Sequence, residues 1–408
     1  MSNYLTARLP GTGGTLRQEP EDFCVEEIPL YTPCGEGEHL YVTVEKRGLT
    51  TFDLLRQLAR ALRCPEREIG YAGLKDSRAV TRQTVSVPLR RPADVLGLEL
   101  PGVRILEARL HRNKLRLGHL AGNRFRIRIH RPDPGALARA EAILDVLQAL
   151  GVPNRFGDQR YGVLGNSHRI GRAILGGDYA GAIREIIGDP AEIRHPEWQA
   201  AAIAFRDGKP EEALARLPRH CHPERQLLEA LRSGRPPREA VFALPRKLLR
   251  LYLSACQSSL FDRLVDMRLN SLERLWPGDL AMKHVNGACF EVVDPAAEQP
   301  RADTFEISPT APLYGCKVRL AGGQAGLLER SLLDKERLTL EGFRLPGGLA
   351  MEGERRPLRV PLLEVTAAAE GDDLLLGFRL PKGSYATAVL HEVMKTSAAS
   401  SELADVTD

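Results

Sequence analysis

Residues Gly70 to Val87 read Gly-Tyr-Ala-Gly-Leu-Lys-Asp-Ser-Arg-Ala-Val-Thr-Arg-Gln-Thr-Val-Ser-Val, and no other stretch limits the fold as much. Ile69 to Ala72 can finish one strand and Thr84 to Val87 begin another, so Gly73 to Arg78 is predicted as a tight polar connection between strands. A single carboxylate, Asp76, lies there near Lys75 and Arg78. Neighbouring cations and turn amides favour the ionised form of a carboxylate, which is the form that acts as nucleophile or base. From the residues alone, a solvated surface turn stays open as the plainer reading.

The surrounding pattern predicts an α+β fold. Phe23 to Ile28 and Leu40 to Glu45 alternate as strands and are expected to form a hairpin across the turn Gly35 to His39. Thr50 or Thr51 can cap a helix with Phe52, Leu54, Leu55, Leu58 and Leu62 at helical spacing. Val103 to Leu110, Lys114 to Leu117 and Asn123 to Ile129 read as further strands. The last puts Phe125, Ile127 and Ile129 on one face and Arg124, Arg126 and Arg128 on the other. A helix follows to about Leu150.

From Val152 the texture changes. A Gly-rich polar stretch leads into a long helical region, broken by prolines, to about Leu275. Its longest helix is expected within Leu244 to Leu272. His220-Cys-His222 has no second ligand cluster to complete a tetrahedral set, so a loop is expected there. Strands return at Lys283 to Val293, Phe305 to Lys317, Arg355 to Val365 and Asp373 to Leu380, and a helix spans Tyr385 to Met394.

Charge and composition exclude several classes. No run approaches the ~18 apolar residues of a membrane span, and the amino terminus has no apolar secretory core, so the cytoplasm is the expected compartment. Seven scattered cysteines without Cys-x-x-Cys indicate neither a disulfide framework nor zinc. The net charge of +4 is mild, but Arg104 to Arg131 holds nine Lys or Arg against one acid, Glu107. Such a block can neutralise phosphates, or it can be a solvated strand face. Gly11-Thr-Gly-Gly14 lacks the spacing of a nucleotide loop.

Gly-Tyr-Ala-Gly-Leu-Lys-Asp with Arg-Ala-Val-Thr-Arg-Gln closely resembles the signature of the TruD family of tRNA pseudouridine synthases. Four more segments match in order: Pro20 to Phe23, Asn123 to Phe125, Phe156 to Gly162, and Pro381 to Leu390. The resemblance implies a pseudouridine-synthase catalytic domain, with a mixed or antiparallel sheet and flanking helices, plus an inserted α/β TRUD domain. The expected boundaries are 1–154 and 302–395 for the catalytic domain, 155–301 for the insertion and 396–408 for a disordered tail. It also implies that uridine in tRNA is isomerised to pseudouridine, at position 13 of the D arm, with no cofactor, no metal and no obligate protein partner.

By the same resemblance Asp76 is catalytic and Arg17, often Lys in relatives, is its partner cation. Phe23 lines the uridine pocket, Asn123 bonds the target base or Asp76, Phe125 stacks on the uracil, and Tyr385 contacts the uridine. Arg124, Arg126 and Arg128 are candidates for the RNA backbone. Two other classes remain: a noncatalytic tRNA-binding protein, and a metal-dependent RNA hydrolase using Asp22, Glu26, Glu27 and Asp76.

Overall fold

A computed structural model describes residues 3–16, 19–88 and 90–396. Arg17, expected as the partner cation, and the tail from residue 397 lie outside the described residues. Contacts divide the chain into two compact units, one built from the stretch ending at Val152 and the stretch resuming at Val360, the other from Pro153–Arg359.

In the first unit, nine strands among the described residues form one sheet. They are β1 (Thr15–Leu16), β2 (Phe23–Pro29), β3 (His39–Arg47), β4 (Gly70–Tyr71), β5 (Val80–Pro88), β6 (Val103–His111), β7 (Leu120–His130), β8 (Leu363–Glu370) and β9 (Asp373–Pro381). The main order is β8-β9-β7-β2-β5-β3-β6, with β1 on β7 and β4 on β5. Only β2 and β5 run parallel, through Cys24↔Val80, Val25↔Thr81 and Glu26↔Arg82; the other pairs are antiparallel.

The expected β2–β3 hairpin does not form. β3 pairs with β5 and β6, while β2 sets Phe23 and Val25 opposite Ile127 and Phe125 of β7. That register joins apolar side chains on one face and leaves the alternate residues outside, so burial selects the long-range pairing over the local one. Lys114 to Leu117 is not a strand either. The Leu115 N–H donates to the Ser86 hydroxyl at 3.0 Å instead of to a ladder partner, and Gly118 turns the chain with φ +85°.

Helices cover two halves of one sheet face. α1 (Thr51–Leu62), capped by the Thr50 side chain, packs Leu54, Leu55 and Leu58 with Leu40, Val42, Val44, Val85 and Val87. α2 (Ala136–Leu150) and α3 (Ala386–Met394) pack Ile143, Leu147, Val389 and Leu390 with Phe125, Ile127, Ile129 and Leu376. Along β2 and β5, between these clusters, the same face turns polar: Glu27, Thr81 and Gln83 are buried there. A buried polar seam on an otherwise apolar face is costly unless its groups find partners, so it marks where chemistry is to be sought.

The second unit begins near the expected boundary at 155 but runs to Arg359, past 301. Its four-stranded antiparallel sheet explains this, because Ile307–Leu313 lies between Leu280–Lys283 and Glu354–Pro357, with Cys289–Glu291 at the edge. Strands on both sides of 301 therefore share one ladder. Prolines that interrupt the sequence pattern start helices: Pro196–Arg206, Pro210–Arg216 and Pro237–Phe242 each open on one, where the missing N–H costs nothing. The longest helix is Arg246–Arg268, capped by Pro245. Cys221 is buried in the turn ahead of His222–Arg232.

The segment 156–162 clamps that long helix within its own unit. The Phe156 N–H and the Tyr161 hydroxyl donate to Asp262 at 2.9 and 2.7 Å, and Arg160 donates to Ser258 at 3.1 Å and to Ser254. Arg356 lies over the Phe156 ring at 4.3 Å. Burial pushes the Asp262 carboxyl up to about 7, against the pull of Tyr161, the Phe156 amide, Arg155 and Arg356. No described helix is long and apolar enough to cross a membrane.

Candidate active site

The loop carrying Asp76 lies over the polar seam, and the sheet explains how it is held there. β5 changes partners along its length: its first residues pair with β2, whereas Val85 and Ser86 pair with β4. The strands fork at Glu27, next to a backbone N–H, that of Thr84, which Glu27 Oε1 accepts at 3.3 Å. The other carboxylate oxygen of Glu27 lies 2.9 Å from Lys75 Nζ. That amine also donates to Asn123 Oδ1 at 2.9 Å. Lys75 and Glu27 expose only 5% and 2% of their side chains, so the pair is desolvated and anchors the loop to two strands at once.

The loop backbone is fixed at successive residues. The Lys75 N–H donates to Thr51 Oγ1 at 2.9 Å, and Thr51, the first residue of α1, donates in turn to Gln83 Oε1 at 3.1 Å. The carbonyl of Asp76 accepts from Lys46 Nζ at 2.9 Å. Lys46 is fully buried and also donates to the Leu49 carbonyl. The Asp76 side chain remains half-buried, and Arg78 is exposed. Below the loop, Thr81 Oγ1 and Gln83 Nε2 are buried with no hydrogen-bond partner among the described residues, the kind of group that water or substrate completes.

The expected site residues divide by face. Asn123 shares the seam with Glu27, its register partner, and its Oδ1 serves Lys75, which leaves the Nδ2 donor as what it can offer a base. Phe23 and Phe125 lie on the same face, 3% and 7% exposed. Their rings meet edge to face at 6.2 Å, and Phe125 also packs on Phe378 at 5.4 Å. Tyr385 is the N-cap of α3, 38% exposed. It follows the turn after β9, whose Leu380 pairs with Asn123, so it belongs to the same end of the sheet.

Arg124, Arg126 and Arg128 alternate onto the opposite face. There Arg124 pairs with Glu26 at 2.9 Å and Glu364 at 2.8 Å, and Arg128 with Glu370 at 2.9 Å and Asp373 at 3.4 Å. Arg126 is exposed and lies 3.8 Å from Cys24 Sγ. An open groove of about 980 Å³ lies on this face and includes Glu26, Arg82, Arg124 and Arg126. Glu45 meets both Arg82 and Arg104, at 2.8 and 2.7 Å. Much of the basic block is thus committed to internal pairs, each worth only ~0–1 kcal/mol at an exposed site and so exchangeable for phosphate.

The four acids of the metal alternative do not converge. Glu26 and Glu27 point to opposite faces, and Asp22 lies against His130 at 2.8 Å. Among the described residues no three His, Cys, Asp or Glu side chains gather as a metal site.

Lys46 escaped the sequence reading, although a signal was present. The alternation Leu40, Val42, Val44 places residue 46 on the covered face, where a lysine is out of character. Glu27 is visible in the same way, as the third member of Phe23, Val25, Glu27.

Comparisons with known proteins identify the family. The family model for tRNA pseudouridine synthase D (TruD) matches residues 1–393. Proteins named tRNA pseudouridine synthase D are 61% identical in Syntrophotalea carbinolica, over 97% of this chain and 100% of the relative, and 60% identical in Geobacter metallireducens, over 96% and 97%. A solved TruD chain from Methanosarcina mazei superposes with a TM-score of 0.85 at 29% identity, covering 98% of this chain and 97% of that one. The class so defined is that of the pseudouridine synthases, which are isomerases. Within it, the chain belongs to the TruD family.

Proposed function

We propose that this chain isomerises uridine to pseudouridine in tRNA, with Asp76 as the reacting carboxylate and without a cofactor. The N1–C1′ bond breaks, the base turns, C5 bonds to C1′, the C5 proton leaves and N1 takes up a proton. No electrons are gained or lost. Asp76 acts either as nucleophile toward the sugar or base, or as the base that removes a sugar proton. Both routes require the uridine to be everted, at a cost of a few kcal/mol that stacking and backbone contacts offset.

The observation that carries this reading is the fixed backbone of the Asp76 loop above a polar seam, with the Asp76 side chain left half-exposed. Preorganisation of this kind is what a single catalytic carboxylate needs. Arg17 supplies the partner cation, Asn123 Nδ2 orients the base, Phe23 and Phe125 form the apolar wall on which the ring rests, and Tyr385 closes the uridine side. Arg124, Arg126 and Arg128 contact the backbone of the same RNA. The substrate position is the thirteenth nucleotide, in the D arm, and the unit Pro153–Arg359 is the family's inserted domain. The enzyme works in the cytoplasm.

Tritium release from tRNA labelled at uridine C5 tests the reading. Asp76→Asn is expected to abolish release while tRNA binding persists; equal release by the variant and the parent would overturn the role of Asp76. Mapping the modified nucleotide in the product tests the position independently.

A further inference from the structure

Lys46 ends the inward-facing series of β3, with Thr81 on β5 and Val103 on β6 as its register partners. None of its surface is exposed. Burying an ammonium is unfavourable unless charge and hydrogen bonds compensate, and a methionine would fill the same space. The amine instead donates to two carbonyls from two connections: Leu49, in the turn that leads into α1, and Asp76 at 2.9 Å. One side chain thus ties the main chain of the reacting residue to the turn beside it.

We propose that Lys46 is a positioning residue for the isomerisation, holding the Asp76 main chain so that its carboxylate faces the everted uridine. The inference rests on Asp76 being the reacting group. The charged groups facing the amine are Asp76 and Lys75 on the loop and Asp53 on α1. Burial pushes the Lys46 amine down to about 8; Asp76 opposes this, Lys75 reinforces it and Asp53 opposes it. Its strand neighbours Thr81 and Val103 carry no charge. The positive charge that draws the loop inward is therefore lost as pH rises through the upper end of an ordinary assay range.

The test uses the full chain, C5-tritiated tRNA and single-turnover release, with Lys46→Met, Lys46→Gln and Asp76→Asn measured side by side. Lys46→Met is expected to bind tRNA within about threefold of the parent and to release tritium about a hundredfold more slowly, the loss expected of a misplaced reacting group. Lys46→Gln keeps a neutral donor and is expected to recover part of that rate. The parent should lose rate above about pH 8, and Lys46→Gln should not. A parental rate in Lys46→Met, or a loss in which binding and melting temperature fall in step with rate, would overturn the proposal. If Lys46→Met does not fold, Lys46→Gln decides: a pH profile identical to the parent's counts against it. The Asp76→Asn arm separates the two readings, since an active Asp76→Asn removes the role of Asp76, whereas an inactive Asp76→Asn beside a fully active Lys46→Met removes only that of Lys46.

Discussion

Lys75 and Glu27 meet at 2.9 Å in the fork where β5 leaves β2, and both are almost fully withdrawn from solvent. Their pairing is a desolvated one, so removing either partner strands the other. Glu27→Ala should destabilise the first unit by ~3–5 kcal/mol, read as a shift of the denaturation midpoint. It should also free the Thr84 N–H. A variant within ~0.5 kcal/mol of the parent would show that the fork does not depend on the pair.

Phe125 has two claims on it, packing and stacking. Phe125→Leu keeps most of the volume and should cost less than ~1.5 kcal/mol in stability. Loss of a stacked base is worth ~1–3 kcal/mol, or roughly 5- to 150-fold in rate. Slow tritium release by a well-folded Phe125→Leu is therefore expected. Parental rates would leave the ring as core alone.

The arginines of β7 are separable by their partners. Arg126→Ala should weaken tRNA binding and lower the slope of log Kd against log salt by about 1. Arg124→Ala removes a guanidinium already shared between Glu26 and Glu364 and should change the slope less. Unchanged slopes in both variants would direct the RNA backbone away from this face.

Asp262 gives the second unit a pH dependence of definite sign. Its folded carboxyl titrates at about 7, above the ~3.9 of an unfolded aspartate. Between these values the folded state holds the extra proton, so the contribution is fully present below about pH 4 and is lost as pH rises toward 7, at no more than ~1.4 kcal/mol per pH unit. Asp262→Asn should flatten that slope in urea melts across pH 4 to 7. A slope unchanged by the substitution would contradict the shift.

Local signals carried much of the fold. Thr50 before an i, i+3, i+4 apolar pattern gave α1, and alternation gave β2 and β3 within a residue or two and β7 within three. What alternation cannot supply is the partner, because the choice between a local hairpin and β2 on β7 depends on which side chains meet once both strands are buried. The Asp76 turn was legible from its polarity and glycines. Its anchorage was not, since Glu27, Lys46, Thr51 and Asn123 lie far apart in sequence and converge only through the parallel β2–β5 crossover. The extension of the second unit to Arg359 depends likewise on a ladder that pairs Leu313 with Glu354 and Thr310 with Pro357, residues distant in sequence.

Because β8, β9 and α3 follow the second unit in the chain, β7 cannot acquire its β9 neighbour until residues 373–381 have been synthesised. Until then β7 keeps one edge unpaired, and Phe125, Ile127 and Ile129 have α2 but not α3 packed on them. Premature termination anywhere before residue 373 would leave that strand edge permanently open, and such fragments should be cleared by proteolysis or held by chaperones.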